Sequence, residues 1–190
     1  MSDFCPILWR EEPTPKDYLN CGQCGLDQHG SRMIWGEGNP KARIMIVLDN
    51  PGAREDREGN LFVCGTRQTL QNAAKEAGLV EEDLYVTYIL KRKPVRAYDK
   101  DQVRKTCMVH LNQQLAVKKP EFILCLGNVA VQSFFQDPEA EVKTLHGKIH
   151  HVHGYRTTVS YHPLAVRRRP NLWSVFMKDW NYLADAYRKL

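Results

Sequence analysis

The chain of 190 residues has no apolar run long enough to cross a membrane as a helix, which takes about 20 consecutive apolar residues. Its N-terminal stretch, Met1-Ser2-Asp3-Phe4-Cys5-Pro6-Ile7-Leu8-Trp9-Arg10-Glu11-Glu12, meets charge too early for a secretory signal. There is no internal repeat and no low-complexity tract, which excludes solenoids and compositionally disordered tails. What is present is 43% apolar and 26% charged, with a mean hydropathy of -0.50, the make-up of a soluble globular protein. A chain of this length can bury one sizeable core. The expectation is a single domain over 1–190 with residues 1–30 packed on it as a cysteine-containing segment, a cytoplasmic monomer without membrane contact.

The net charge of +5 is unevenly placed. Lys91, Arg92, Lys93, Arg96, Lys100, Arg104 and Lys105 fall in one stretch and Arg167, Arg168 and Arg169 in another. Such clusters suit a phosphate backbone, although basic runs are more often plain solvated faces.

Arg43 to Asp49, Leu84 to Leu90, Glu121 to Leu126 and Thr157 to Tyr161 are short runs rich in β-branched and apolar residues, which predict buried parallel strands. Helical patterns run from Thr66 to Ala77, Asp99 to Val117, Asn128 to Gln136 and Asn171 to about Lys189. Alternation of the two predicts an α/β chain, a three-layer α/β/α sandwich on a mainly parallel four-stranded sheet.

Two turn-forming segments leave strand ends, Asp49-Asn50-Pro51-Gly52 and Tyr161-His162-Pro163. Open parallel sheets bind ligands beyond the carboxyl ends of their strands. There the two segments can set a water-activating polar group opposite an imidazole. Each dipeptide alone is also an ordinary turn.

Together with Gly36-Glu37-Gly38-Asn39-Pro40, the Asp49-to-Asp56 segment, Gly59-Asn60-Leu61-Phe62-Val63 and Leu126-Gly127, these motifs resemble the uracil-DNA glycosylase superfamily, most of all its iron–sulfur branch, family 4. The resemblance implies a glycosylase of base-excision repair acting on DNA that carries uracil or a related deaminated base. Asp49 takes the place of the water-orienting residue, Phe62 of the aromatic that stacks on the flipped base, and His162 of the histidine that stabilises the departing base. Gly52 belongs to the base pocket, and Leu164 with Arg167, Arg168 and Arg169 to a DNA wedge loop. The chemistry needs these types: breaking an N-glycosidic bond builds positive charge on the sugar and negative charge on the leaving base, and the base must first leave the stack.

The departures are specific. The family's first motif reads Gly-Glu-Ala-Pro-Gly, against Leu48-Asp49-Asn50-Pro51-Gly52 here, so Asn50 rivals the shorter Asp49 for the water. Tyr88 stands where the family has an asparagine reading the uracil edge, and a phenol cannot present an amide's paired donor and acceptor. It is expected either to border the pocket or to pack as a core aromatic.

Six cysteines without a secretory signal favour metal ligation or burial over disulfides. Cys21-Gly22-Gln23-Cys24 is the strongest ligand pair. In family 4 such a pair joins two later cysteines around a [4Fe-4S] cluster. Cys107 matches one, but the other falls at Arg92 in Lys91-Arg92-Lys93-Pro94. Cys5 is the expected replacement ligand, with zinc or no metal as alternatives; Cys64 and Cys125 are expected to pack. His146, His150, His151 and His153 are expected on a hairpin with solvent-facing imidazoles rather than around a metal.

Two other functions remain. One is a non-catalytic DNA- or base-binding member of the superfamily, and the other a hydrolase of free nucleosides or nucleotides, which needs the pocket but not the three arginines.

Overall fold

The computed structural model describes residues 4–53 and 65–190. Its centre is four parallel strands in the order β4-β3-β5-β7: β3 (Ile44–Leu48), β4 (Leu84–Tyr88), β5 (Phe122–Leu126) and β7 (Tyr155–Ser160). The continuous apolar runs form strands because both faces are covered. In β3, Ile44, Ile46 and Leu48 enter one core and Met45 and Val47 the other, all at most 2% exposed.

The first core packs under α1 (Gly65–Glu76), α5 (Pro163–Arg168) and α6 (Trp173–Arg188), through Leu70, Val166, Phe176 and Trp180. The second packs under α2 (Lys100–Lys118), α3 (Asn128–Phe135) and α4 (Val142–Leu145), through Val103, Leu111, Phe134 and Val142. Asp99 caps α2 by accepting from the Gln102 amide at 3.0 Å. The layers are those expected.

The sheet is wider than the sequence predicts. Antiparallel β2 (Gly36–Gly38) and β1 (Glu11–Glu12) extend it beyond β4, and β6 (His150–Val152) extends it beyond β7, giving seven strands among the described residues. The β6–β7 hairpin turns at His153 and Gly154, both at positive φ. Its histidines meet the expectation only in part, His151 and His153 being exposed and His146 and His150 half-buried. His150 and His153 place Nε2 2.8 Å from the carbonyl oxygens of Leu145 and Phe134, and His146 Nδ1 lies 3.2 Å from Asp179, so of the four only His151 lacks such a contact among the described residues.

Candidate active site

All four parallel strands end on one edge. Asp49 follows β3, and His162 follows β7, with β5 between them. Strands two apart lie about 10 Å from each other, so the two side chains can meet only by leaning over the end of β5. Gly127 stands there at φ 92°, and a Cβ on it would come within 2.8 Å of the His162 Cβ. Its missing side chain is what allows the approach. His162 Nε2 lies 3.4 Å from Asp49 Oδ1, with both side chains half-buried.

Neighbouring amides fix the chemistry of each partner. The Leu164 amide donates to His162 Nδ1 at 3.1 Å, so the proton of the neutral ring sits on Nε2, facing Asp49. At 3.4 Å that N–H makes only a long, weak hydrogen bond to the carboxylate. The Asn50 amide donates to Asp49 Oδ1 at 2.8 Å. Burial pushes the Asp49 carboxyl up, but the long hydrogen bond from His162 and the charge of that ring when protonated, with the Asn50 amide, prevail and hold it below the ordinary carboxylate range. Asn50 itself donates its side-chain amide to the Pro51 carbonyl at 2.8 Å. Gly52 is exposed beside them. Phe62 and Cys64 lie outside the described residues.

Leu164 to Arg168 form helix rather than a loop, because His162 caps a turn that Pro163 opens, and Arg169 ends it as the C-cap. Leu164 projects from it, 39% exposed. Arg168 and Arg169 are exposed, and Arg167 donates to the Gly65 carbonyl at 3.2 Å.

Tyr88 pairs with Leu48 beside the site but is 1% exposed, its ring in the core and its hydroxyl accepting from Arg67 Nη2. Arg67 Nε donates to Glu37, and Nη1 is a buried donor without a partner among the described residues. Sequence reasoning missed this pair, although Arg67 shares the inward face of α1 with Leu70 and Ala74. It also missed Asp179, which accepts from Ser160 at 2.6 Å two residues before His162; an acid beside Phe176, Trp180 and Leu183 was the signal.

Two members of the expected basic stretch face inward. Lys91 is 1% exposed and donates to Thr87, the Tyr88 carbonyl and Gln114, and burial drives its ammonium well below the ordinary range. Arg92 donates to the carbonyls of Ser31 at 2.7 Å and Leu19 at 3.1 Å. Neither is free for phosphate.

Cys24 and Cys107 share a hydrogen bond. It lowers Cys24 to about 6 and, with burial, pushes the Cys107 thiol up. Cys21 is close enough for its charge to act on Cys107. Cys5 does not join them. It lies against α1 beside Gln71 and Lys75, and its neighbour Ile7 exchanges two hydrogen bonds with Gln71, at 2.9 and 2.7 Å. That is the face of the sheet opposite α2 and Cys107, which overturns Cys5 as the replacement ligand. Among the described residues no group of three or more His, Cys, Asp or Glu is arranged to hold a metal ion. The residues present do not fit a four-cysteine cluster or a complete zinc site. Cys125 is packed at 0% exposure, as expected.

The family model described as Uracil DNA glycosylase superfamily matches residues 35–190. The chain is 32% identical over 183 residues to the type-4 uracil-DNA glycosylase of Archaeoglobus fulgidus, covering 92% of each. It is 31% identical over 170 residues to that of Pyrobaculum aerophilum, covering 84% of this chain and 86% of the relative. With that of Sulfurisphaera tokodaii the identity is 28% over 184 residues, covering 92% and 83%.

Proposed function

The chain belongs to the uracil DNA glycosylase superfamily, and we propose that it is a monofunctional DNA glycosylase, hydrolysing the N-glycosidic bond of uracil or a related deaminated base in base-excision repair. The observation that carries the reading is the Asp49–His162 pair leaning together over Gly127 at the strand ends. Asp49, ionised at neutral pH, orients water and balances the positive charge on the sugar. His162 donates its Nε2–H to the carbonyl oxygen on which the leaving base carries its charge. Asn50 and Gly52 shape the wall beside Asp49, and Phe62 stacks on the base. Leu164 enters the duplex as the nucleotide leaves it, and Arg167, Arg168 and Arg169 hold phosphates. Tyr88 acts behind the pocket through Arg67. No step runs through a metal. Among the described residues no helix is long and apolar enough to cross a membrane, and a cytoplasmic monomer completes the reading.

The test is incubation with labelled oligonucleotides bearing uracil opposite guanine, uracil opposite adenine, hypoxanthine or xanthine, followed by alkali. Breaks at a lesion establish excision and name the base. Intact strands on every substrate, from folded protein that binds the same DNA, favour the non-catalytic reading.

A further inference from the structure

We infer that Arg92 has taken over the fastening of the N-terminal segment that a four-iron cluster performs in the type-4 branch, so that this protein folds and works without iron. Arg92 stands at the position of a family cluster ligand. A guanidinium stays protonated and has no lone pair to give a metal. Its two terminal nitrogens instead reach the carbonyls of Leu19 and Ser31, which bracket Cys21 and Cys24 in sequence. Backbone pairing continues the clasp: Arg92 bridges to Met33, the Ile34 amide donates to the Lys91 carbonyl at 2.8 Å, and Ser31 Oγ donates to the Lys93 carbonyl at 2.8 Å.

The same segment is held by contacts that need no metal. Tyr18 stacks on Trp35 at 5.3 Å between ring centroids, and His110 of α2 meets both rings edge-on. Leu26 is buried at 1% exposure in the core beneath α2. With an aromatic trio, a buried leucine and a two-armed guanidinium, residues 16–34 are fastened to the sheet and α2 directly. Cys21, Cys24 and Cys107 are then three thiols of an incomplete set, one substitution short of four.

Three preparations test this, all made without oxygen in iron-supplemented cells. The unaltered protein should carry near-zero iron, show no visible absorption band, and keep its Tm after treatment with a chelator. Arg92→Ala should stay iron-free and lose about 6 °C or more in Tm, as removal of two charge-assisted hydrogen bonds requires, with faster proteolysis between residues 16 and 34. Arg92→Cys should gain about four irons per chain and broad visible absorption. Stoichiometric iron in the unaltered protein overturns the inference, as does an Arg92→Ala protein of unchanged Tm and proteolysis. A folded Arg92→Cys protein that takes up no iron overturns the convergence of the four positions. None of these readouts depends on the base excised.

Discussion

At the scale of single residues, the site is two side chains with opposite tasks and one missing side chain. Replacing His162 with alanine removes the donor to the leaving oxygen and should slow single-turnover excision by about 10²- to 10³-fold. DNA affinity should change little, and equal loss in affinity and rate would move His162 from catalysis to binding. Substituting Gly127 with alanine should harm the same step without touching either reacting group, because its Cβ meets that of His162. His110 gives a signed pH effect on stability. Burial, then the charges of Lys91 and Arg92, push it down to about 4, below the ~6.5 of an unfolded chain. Below about 6.5 the unfolded state therefore binds a proton that the folded state refuses, and stability falls with pH until about 4. Replacing His110 with phenylalanine should flatten Tm against pH across that window; an unchanged slope assigns it to other groups.

At the scale of elements, α5 and α6 do separate work. The end of α5 and its C-cap carry Arg168 and Arg169 into solvent. Reversing both to glutamate should weaken DNA binding and reduce the slope of log affinity against log salt by about 2. A slope that does not move would place the phosphates elsewhere and favour a nucleoside substrate. Asp179 of α6 is the anchor of β7, accepting from Ser160 while His146 lies 3.2 Å away. Asp179→Ala leaves Ser160 buried without that acceptor and should cost about 2 kcal/mol, roughly 4–8 °C in Tm at this chain length, as thermal unfolding would show. Three of the four parallel strands were legible as near-continuous apolar runs bounded by turns, and the fourth, β7, through its β-branched Thr157, Thr158 and Val159. The edge strands were not, since Glu11–Glu12 and Gly36–Gly38 are too short for any period and exist only through their partners. The helix after His162 was hidden by Pro163 and three successive arginines, which read as loop until the histidine is recognised as its cap.

At the scale of the whole molecule, the strand order decides what sequence could not. Asp49 and His162 were each recognisable as motif residues, but their meeting depends on β5 lying between β3 and β7, a tertiary fact. Placement on opposite faces likewise separates Cys5 from Cys107, which no spacing along the chain reveals. Tyr88, equivocal in sequence, goes to the core because the first core closes over its ring and Arg67 takes its hydroxyl. The central claim is that the strand-end site, with Asp49 ionised, hydrolyses uracil from DNA. Its most direct measurement is the single-turnover release of free uracil from a uracil-containing duplex, by the unaltered protein and by Asp49→Asn. We expect release by the first, and at least about 10²-fold slower release by the second with DNA binding retained. No release by folded, DNA-binding protein, or equal rates from the two, would contradict the account.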